Sequence, residues 1–282
     1  MRRGYTLIEI IITIAITAIL AIGMFKALEA ITLRSEKAKA LSTLSLDSQS
    51  ALDQISLLLY NRAPNFLTAC KTSIDCVPFD EIIPNKTILQ WYGIASESHQ
   101  DGNYSGFVDM NQSHNPNLYT PDTYFNAIKT TQTAKWGSFD WGNDDIRLIF
   151  AGTFDSGDSN STYKITMTQD YNLNFTNPPA KIYEKYYLVD SAYAVTRKED
   201  AILACPVFDF TPFKDNDLLL FYNYRPWKGQ TFCNAQVTVL AENTSAFRAQ
   251  MLNGTIRLAI DMNRSIRGSS NPVHLSKQKV VF

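Results

Sequence analysis

The opening stretch MRRGYTLIEIIITIAITAILAIGMF, residues 1–25, decides how the rest of the chain is read. One acid, Glu9, stands directly before an apolar run from Ile10 to Phe25 that only threonine, alanine and glycine interrupt. An ionisable side chain in such a segment costs about 2.5–3.5 kcal/mol or more to insert, and so marks function. Tyr5 to Phe25 is long enough, at a rise of about 1.5 Å per residue, to cross a hydrocarbon core of roughly 30 Å. Arg2 and Arg3 lie on its N-terminal side. The positive-inside rule therefore keeps the start in the cytoplasm and sends the bulk of the chain outward. A secretory signal would end in a small-residue cleavage site, and none follows Phe25, so the apolar segment is expected to be retained.

Beyond Phe25 the chain has neither glycine nor proline until Pro64, and Leu41, Leu44, Ala51, Leu52, Ile55, Leu58 and Leu59 recur at three- and four-residue steps. That spacing predicts an amphipathic helix over 26–62 that continues the span over 5–25. Together they make a rod of roughly 80 Å, bare in its first half and able to pack a domain along one stripe in its second. Gly23 is its expected weak point.

Residues 3–9, Arg-Gly-Tyr-Thr-Leu-Ile-Glu, followed at once by the apolar run, resemble the class III signal of type IV pilins and type II secretion pseudopilins. The resemblance implies a leader of residues 1–4, cut by a prepilin peptidase after Gly4, N-methylation of the new terminus at Tyr5, and an assembly role for Glu9. Tyr5 replaces the phenylalanine usual at the cut, and the stalk lacks the proline many major pilins carry. Cleavage would remove both arginines and create an amine at Tyr5. In a packed filament that amine of one subunit would neutralise the Glu9 carboxylate of another, whereas a plain signal anchor has no use for the heptapeptide.

Residues 63–282 read as an exported, β-rich body, with aromatics concentrated after residue 90 among Asn, Asp, Ser, Thr and Gly. The stretch from Ala63 to Gly142 reads as irregular, with short apolar pieces such as Thr87 to Ile94. Four later stretches, 146–154, 163–169, 186–197 and 217–224, read as strands by their β-branched and aromatic content. Asn253-Gly254 predicts a two-residue hairpin turn, after which Ile256, Leu258, Ile260 and Met262 face one way and Arg257 and Asp261 the other. The expected class is α+β, a long N-terminal helix packed on an antiparallel sheet. The C-terminal half, with its strand, hairpin and final HLSKQKVVF, is similar to the larger minor pseudopilins of the GspJ or PilW kind.

Four cysteines allow three complete pairings, and in an exported domain disulfides are the ordinary reading. Each of Cys70–Cys76 and Cys205–Cys233 lies within one local segment, so these pairs are expected; their spacing suits zinc poorly. No nucleophile, zincin, phosphate-loop or dinucleotide motif is present, so catalysis and cofactors are not expected, and a membrane-tethered enzyme is the remotest alternative. Asp155, Asp158 and Asn160 on a turn offer oxygen ligands to calcium but lack an EF-hand's spacing. A solvated turn explains them better. The chain has 26 Lys+Arg and 27 Asp+Glu, so no global field draws it to nucleic acid. Locally, Arg248, Arg257, Arg264, Arg267, Lys277 and Lys279 face only one acid, Asp261, and offer DNA phosphates a contact; solvated strand faces explain them as simply. The reading that follows is a minor pilin or pseudopilin in the inner membrane with an extracytoplasmic body. Its expected partners are other pilins, the prepilin peptidase, the inner-membrane assembly platform and the bilayer, and the alternative is a filament-displayed adhesin or DNA receptor.

Overall fold

The structure, a computed structural model, describes residues 6–79, 86–151, 162–252 and 254–281. One helix, α1 (Leu7–Tyr60), runs without a break through Gly23. Its buried positions are Ala40, Leu44, Ser48, Ala51, Leu52, Ile55, Ser56 and Leu59, a single stripe at three- and four-residue steps. Leu41, counted in the expected stripe, stays largely exposed. Helix α1 ends two residues earlier than expected, because Asn61 closes it and Arg62 already begins a strand.

The body follows in the order β1 (Arg62–Cys70), β2 (Cys76–Pro78), β3 (Ile88–Ile94), α2 (Ser96–Gln100), β4 (Asn117–Tyr119), α3 (Phe125–Trp136), β5 (Arg147–Phe150), β6 (Tyr163–Gln169), β7 (Asn172–Phe175), β8 (Tyr186–Arg197), α4 (Lys198–Ala204), β9 (Leu218–Tyr224), β10 (Gln236–Ala241), β11 (Thr244–Leu252), β12 (Thr255–Arg264) and β13 (Val273–Val281). Every pairing between these strands is antiparallel. The stretch from Ala63 to Gly142, read as irregular, therefore holds three strands, part of a fourth and two helices. Strand β1 contains Pro64, and the register of β1 on β3 slips between Arg62 and Leu67, an irregularity that accommodates a residue with no N–H to give.

Ten strands make the main sheet, which forks at β8. On one edge β8 pairs with β3 along its length; on the other it pairs with β5 from Tyr186 to Val189 and with β9 from Ala192 to Arg197. Asp190 is the extra residue where the β3 register shifts, because Gly93 partners Ser191 while Ile94 partners Val189. A bulge re-aims its side chain, and here the buried Asp190 carboxylate meets Lys135 of α3 at 2.8 Å. Arg225, just after β9, donates to the Asp190 carbonyl at 3.1 Å and to Asp145, just before β5, at 2.9 Å. The guanidinium also lies over the Trp136 ring, 4.7 Å from its centroid. Burial pushes the Lys135 ammonium toward losing its proton, but the charge and hydrogen bond of Asp190 outweigh that and hold it above its ordinary value. Burial likewise raises the Asp145 carboxyl, while Lys228, the Asp140 N–H and Arg225 together bring it below the usual range. These ion pairs close the fork.

Between β3 and β8, neighbours in the sheet, the chain inserts residues 95–185, whose Phe125, Trp141 and Phe150 form a separate core with Tyr186 and Leu188 of β8. The Tyr193 ring of β8 lies over Gly93 of β3, where a side chain would meet it at 2.6 Å.

A second sheet has the order β11-β12-β13. Leu252 partners Thr255 across a two-residue turn whose Gly254 has φ 79°, a conformation glycine adopts freely. Ile256, Leu258, Ile260 and Met262 of β12 are buried as their alternation predicts. They join Leu44, Leu52, Ile55 and Leu59 of α1 and Leu89, Trp91 and Val195 of the main sheet in one core. On the opposite face of the main sheet, α4 covers a separate core that contains Cys70 and Cys205.

Candidate functional site

The N-terminal half of α1 is the candidate site. Thr6 caps the helix in an extended conformation, and both its main-chain N–H and its hydroxyl donate to Glu9 Oε2 at 3.0 Å. The carboxylate thus folds back over the first turn, where four N–H groups lack helical partners and the dipole favours negative charge. Glu9 Oε1 bonds to nothing among the described residues. The threonines farther along are satisfied within the helix: Thr13 donates to the Glu9 carbonyl at 2.7 Å and Thr17 to the Thr13 carbonyl at 2.8 Å. They cost little in an apolar surround, which leaves Glu9 as the charged group of the span.

Around it the surface is apolar on all sides. Leu7, Ile8, Ile10, Ile11, Ile14 and Ile19 are each more than half exposed. Every residue from Thr6 to Lys39 is exposed except Leu33, which is half-buried. Gly4 and Tyr5 lie outside the described residues.

Against models of known families, the prokaryotic N-terminal methylation motif matches residues 1–25. The chain carries a prepilin-type N-terminus. Together with the long apolar helix, that N-terminus fits the type IV pilin and pseudopilin family, whose members a prepilin peptidase processes, and it supports a single-pass anchor in the inner membrane. Neither the curated proteins nor the solved structures gave a match to the chain.

The other residues singled out from the sequence fall in different places. Cys70 is bonded to Cys76 and Cys205 to Cys233, on the sheet face away from α1. Asp155, Asp158 and Asn160 lie outside the described residues. The six basic residues do not form one surface. Lys277 and Lys279 share the inward face of β13 with Leu275 and Val281 and reach α1: Lys277 Nζ donates to the Ser45 carbonyl at 3.1 Å, and Lys279 Nζ to Asp53 at 2.6 Å. Arg248 pairs with Asp261, and Arg257 is exposed on the opposite face of that sheet. Arg264 and Arg267 stand at the end of β12 and in the turn beyond it, where a side chain in place of Gly268 would meet Leu33 of α1 at 3.5 Å. The correction has a simple cause: side chains alternate along a strand, so a run of charges close in sequence divides between two faces.

Sequence reasoning missed the docking role of Lys277 and Lys279. The signal was present, since both have the parity of Val273, Leu275 and Val281 and so belong to the buried face. It missed the ion cluster at the fork because its members come from α3, the approach to β5, β8 and the loop after β9.

Proposed function

We propose that this chain is a minor pilin or pseudopilin, a structural subunit without catalytic chemistry. On this reading prepilin peptidase cuts between Gly4 and Tyr5, Tyr5 is methylated, and α1 holds the subunit in the inner membrane with its body on the periplasmic side. An inner-membrane assembly platform then co-assembles it with other pilins, near the tip of a type II secretion pseudopilus or a type IV pilus-like filament. The observation that supports this best is the bare half of α1, apolar all round and headed by Glu9, one oxygen of which has no partner among the described residues. Lipid alone satisfies the apolar surface but not the acid. A neighbouring helix bundle that supplies an amine satisfies both. The size of the body, with its inserted unit between β3 and β8, suits a component present in few copies better than one repeated along the whole length.

Crosslinking between the N-terminal helices of this subunit and its co-assembling pilins tests the reading. Glu9→Ala and Glu9→Gln should both be exported, cut and folded, because none of those steps uses the intersubunit pair, and both should lose crosslinking and filament-dependent function sharply. Loss in the glutamine variant, which keeps shape and hydrogen bonding, assigns the effect to charge. Undiminished crosslinking in both would overturn the role given to Glu9.

A further inference from the structure

Away from α1, a cleft of about 380 Å³ opens between the β11–β12–β13 sheet and the ends of β1 and β3. Its lining includes Phe247 and Leu89 and, on the outer face of the sheet, Ala259, and the charged residues among its described lining are of one sign: Lys86, Arg248 and Arg257. Asp75 holds Lys86 and Asp261 holds Arg248, whereas Arg257 has no ionic partner among the described residues.

Four consecutive residues of β11, Phe247 to Gln250, line this cleft. Successive strand residues point to opposite faces, so it is the edge of β11 that opens here. Strand β11 is paired only with β12. In an antiparallel ladder every second residue turns its N–H and C=O away from that one partner. From Ala246 to Met251 those outward groups bond to nothing else among the described residues. The two edges of this sheet are treated differently: β13 carries inward-pointing Lys277 and Lys279, a common guard against strand addition, while β11 presents Phe247 and Ala249 at the same face.

We propose that this cleft is a strand-addition site for an extended acidic peptide of a partner protein. The peptide's main chain pairs with the free edge of β11. Its acidic side chains, on the outer face, meet the fork of Arg257 within the field of Arg248 and Lys86, and its alternate, apolar side chains lie along Phe247. Charge complementarity selects an acidic occupant, and the open edge selects an extended one. Nothing in this depends on filament assembly.

The test uses the full chain in detergent micelles and a labelled, capped peptide alternating glutamate and valine, with anisotropy as the readout. The peptide should bind. Its lysine–valine counterpart, a version N-methylated at alternate amides, and the Arg257→Glu protein should each bind at least about tenfold more weakly, and Arg264→Glu, outside the cleft, should bind normally. Circular dichroism checks that the variants fold, and Arg257→Gln serves if Arg257→Glu does not. No binding of the acidic peptide, equal binding of the lysine peptide, or an affinity indifferent to Arg257 would overturn the site. Equal binding of the N-methylated peptide would overturn strand addition.

Discussion

The two halves of α1 share one helical conformation and meet opposite surroundings. From Ala40 to Leu59 the helix buries a stripe against the body. From Thr6 to Lys39 every residue is exposed except the half-buried Leu33. Helix propensity does not separate them, since both are continuous and free of proline. The pattern does. In the docked half the buried apolar residues keep to one side, and each of Leu44, Leu52, Ile55 and Leu59 contributes about 1.5–3 kcal/mol by leaving water. In the bare half isoleucine and leucine go all the way round, and no single domain face can cover every side of a helix. One half is thus completed by its own chain, and the other requires lipid or other helices.

The largest test of this division is all-or-none. Gly4→Val should leave the precursor uncut, because the peptidase needs an unhindered backbone at the cleavage point, and intact-mass analysis of membrane-extracted protein reads the result. Wild-type protein that still carries Met1 to Gly4 would remove the assembly role from the bare half. Next in size, Leu52→Ala should destabilise the body by about 2–5 kcal/mol through lost burial and a residual cavity, while Ile14→Ala should change its unfolding free energy in denaturant by less than about 0.5 kcal/mol. Equal effects would break the comparison. The staple on the far face of the main sheet sharpens it. Replacing Cys205 and Cys233 by serine opens a loop of sequence separation 28 and should cost about 3.5 kcal/mol. Combined with Leu52→Ala the losses should add within about 0.5 kcal/mol, because the two sites share no partners.

The smallest effect concerns pH. The Asp53 carboxyl is held below its ordinary value of 3.8, first by the hydrogen bond from Lys279 and then by that from Gln49. A depressed carboxyl contributes stability above its unfolded value, and that contribution is lost as pH falls through the folded one. Asp53→Asn should therefore sit slightly below wild type in denaturant midpoint at neutral pH, with the gap closing in acid. A gap that persists unchanged below the carboxylate range would show that Lys279 does not clamp β13 to the helix through charge.

Much of this architecture was legible before any coordinates. The continuous helix, the strands at 163–169 and 186–197 and the turn at Gly254 follow from periodicity and turn chemistry, which act within a few residues of one another. The chain from Ala63 to Gly142 was not legible in the same way. Strand β1 carries Pro64 and forms only because β2 and β3 flank it, and α3 shows little sidedness in its sequence, being held by Phe125 and Ile128 in the core of the inserted unit. Of the candidate site, Glu9 and its apolar surround were plain from spacing alone. The acid's use of a single oxygen on Thr6 was a matter of side-chain geometry.

The sequence by itself determined that this protein has a membrane-length apolar helix headed by one acid, because hydropathy and helical period are local and need no partner to be expressed. Only the tertiary structure decided that Asp190 sits at a fork closed by Arg225 and Lys135, that Lys277 and Lys279 grip α1, and that β11, beside Arg257, has no strand partner but β12 among the described residues. The reason is physical. Strand pairing and charge neutralisation join residues brought together from far along the chain, so which edge is covered and which cation is satisfied depends on the assembled sheets and not on neighbours in sequence.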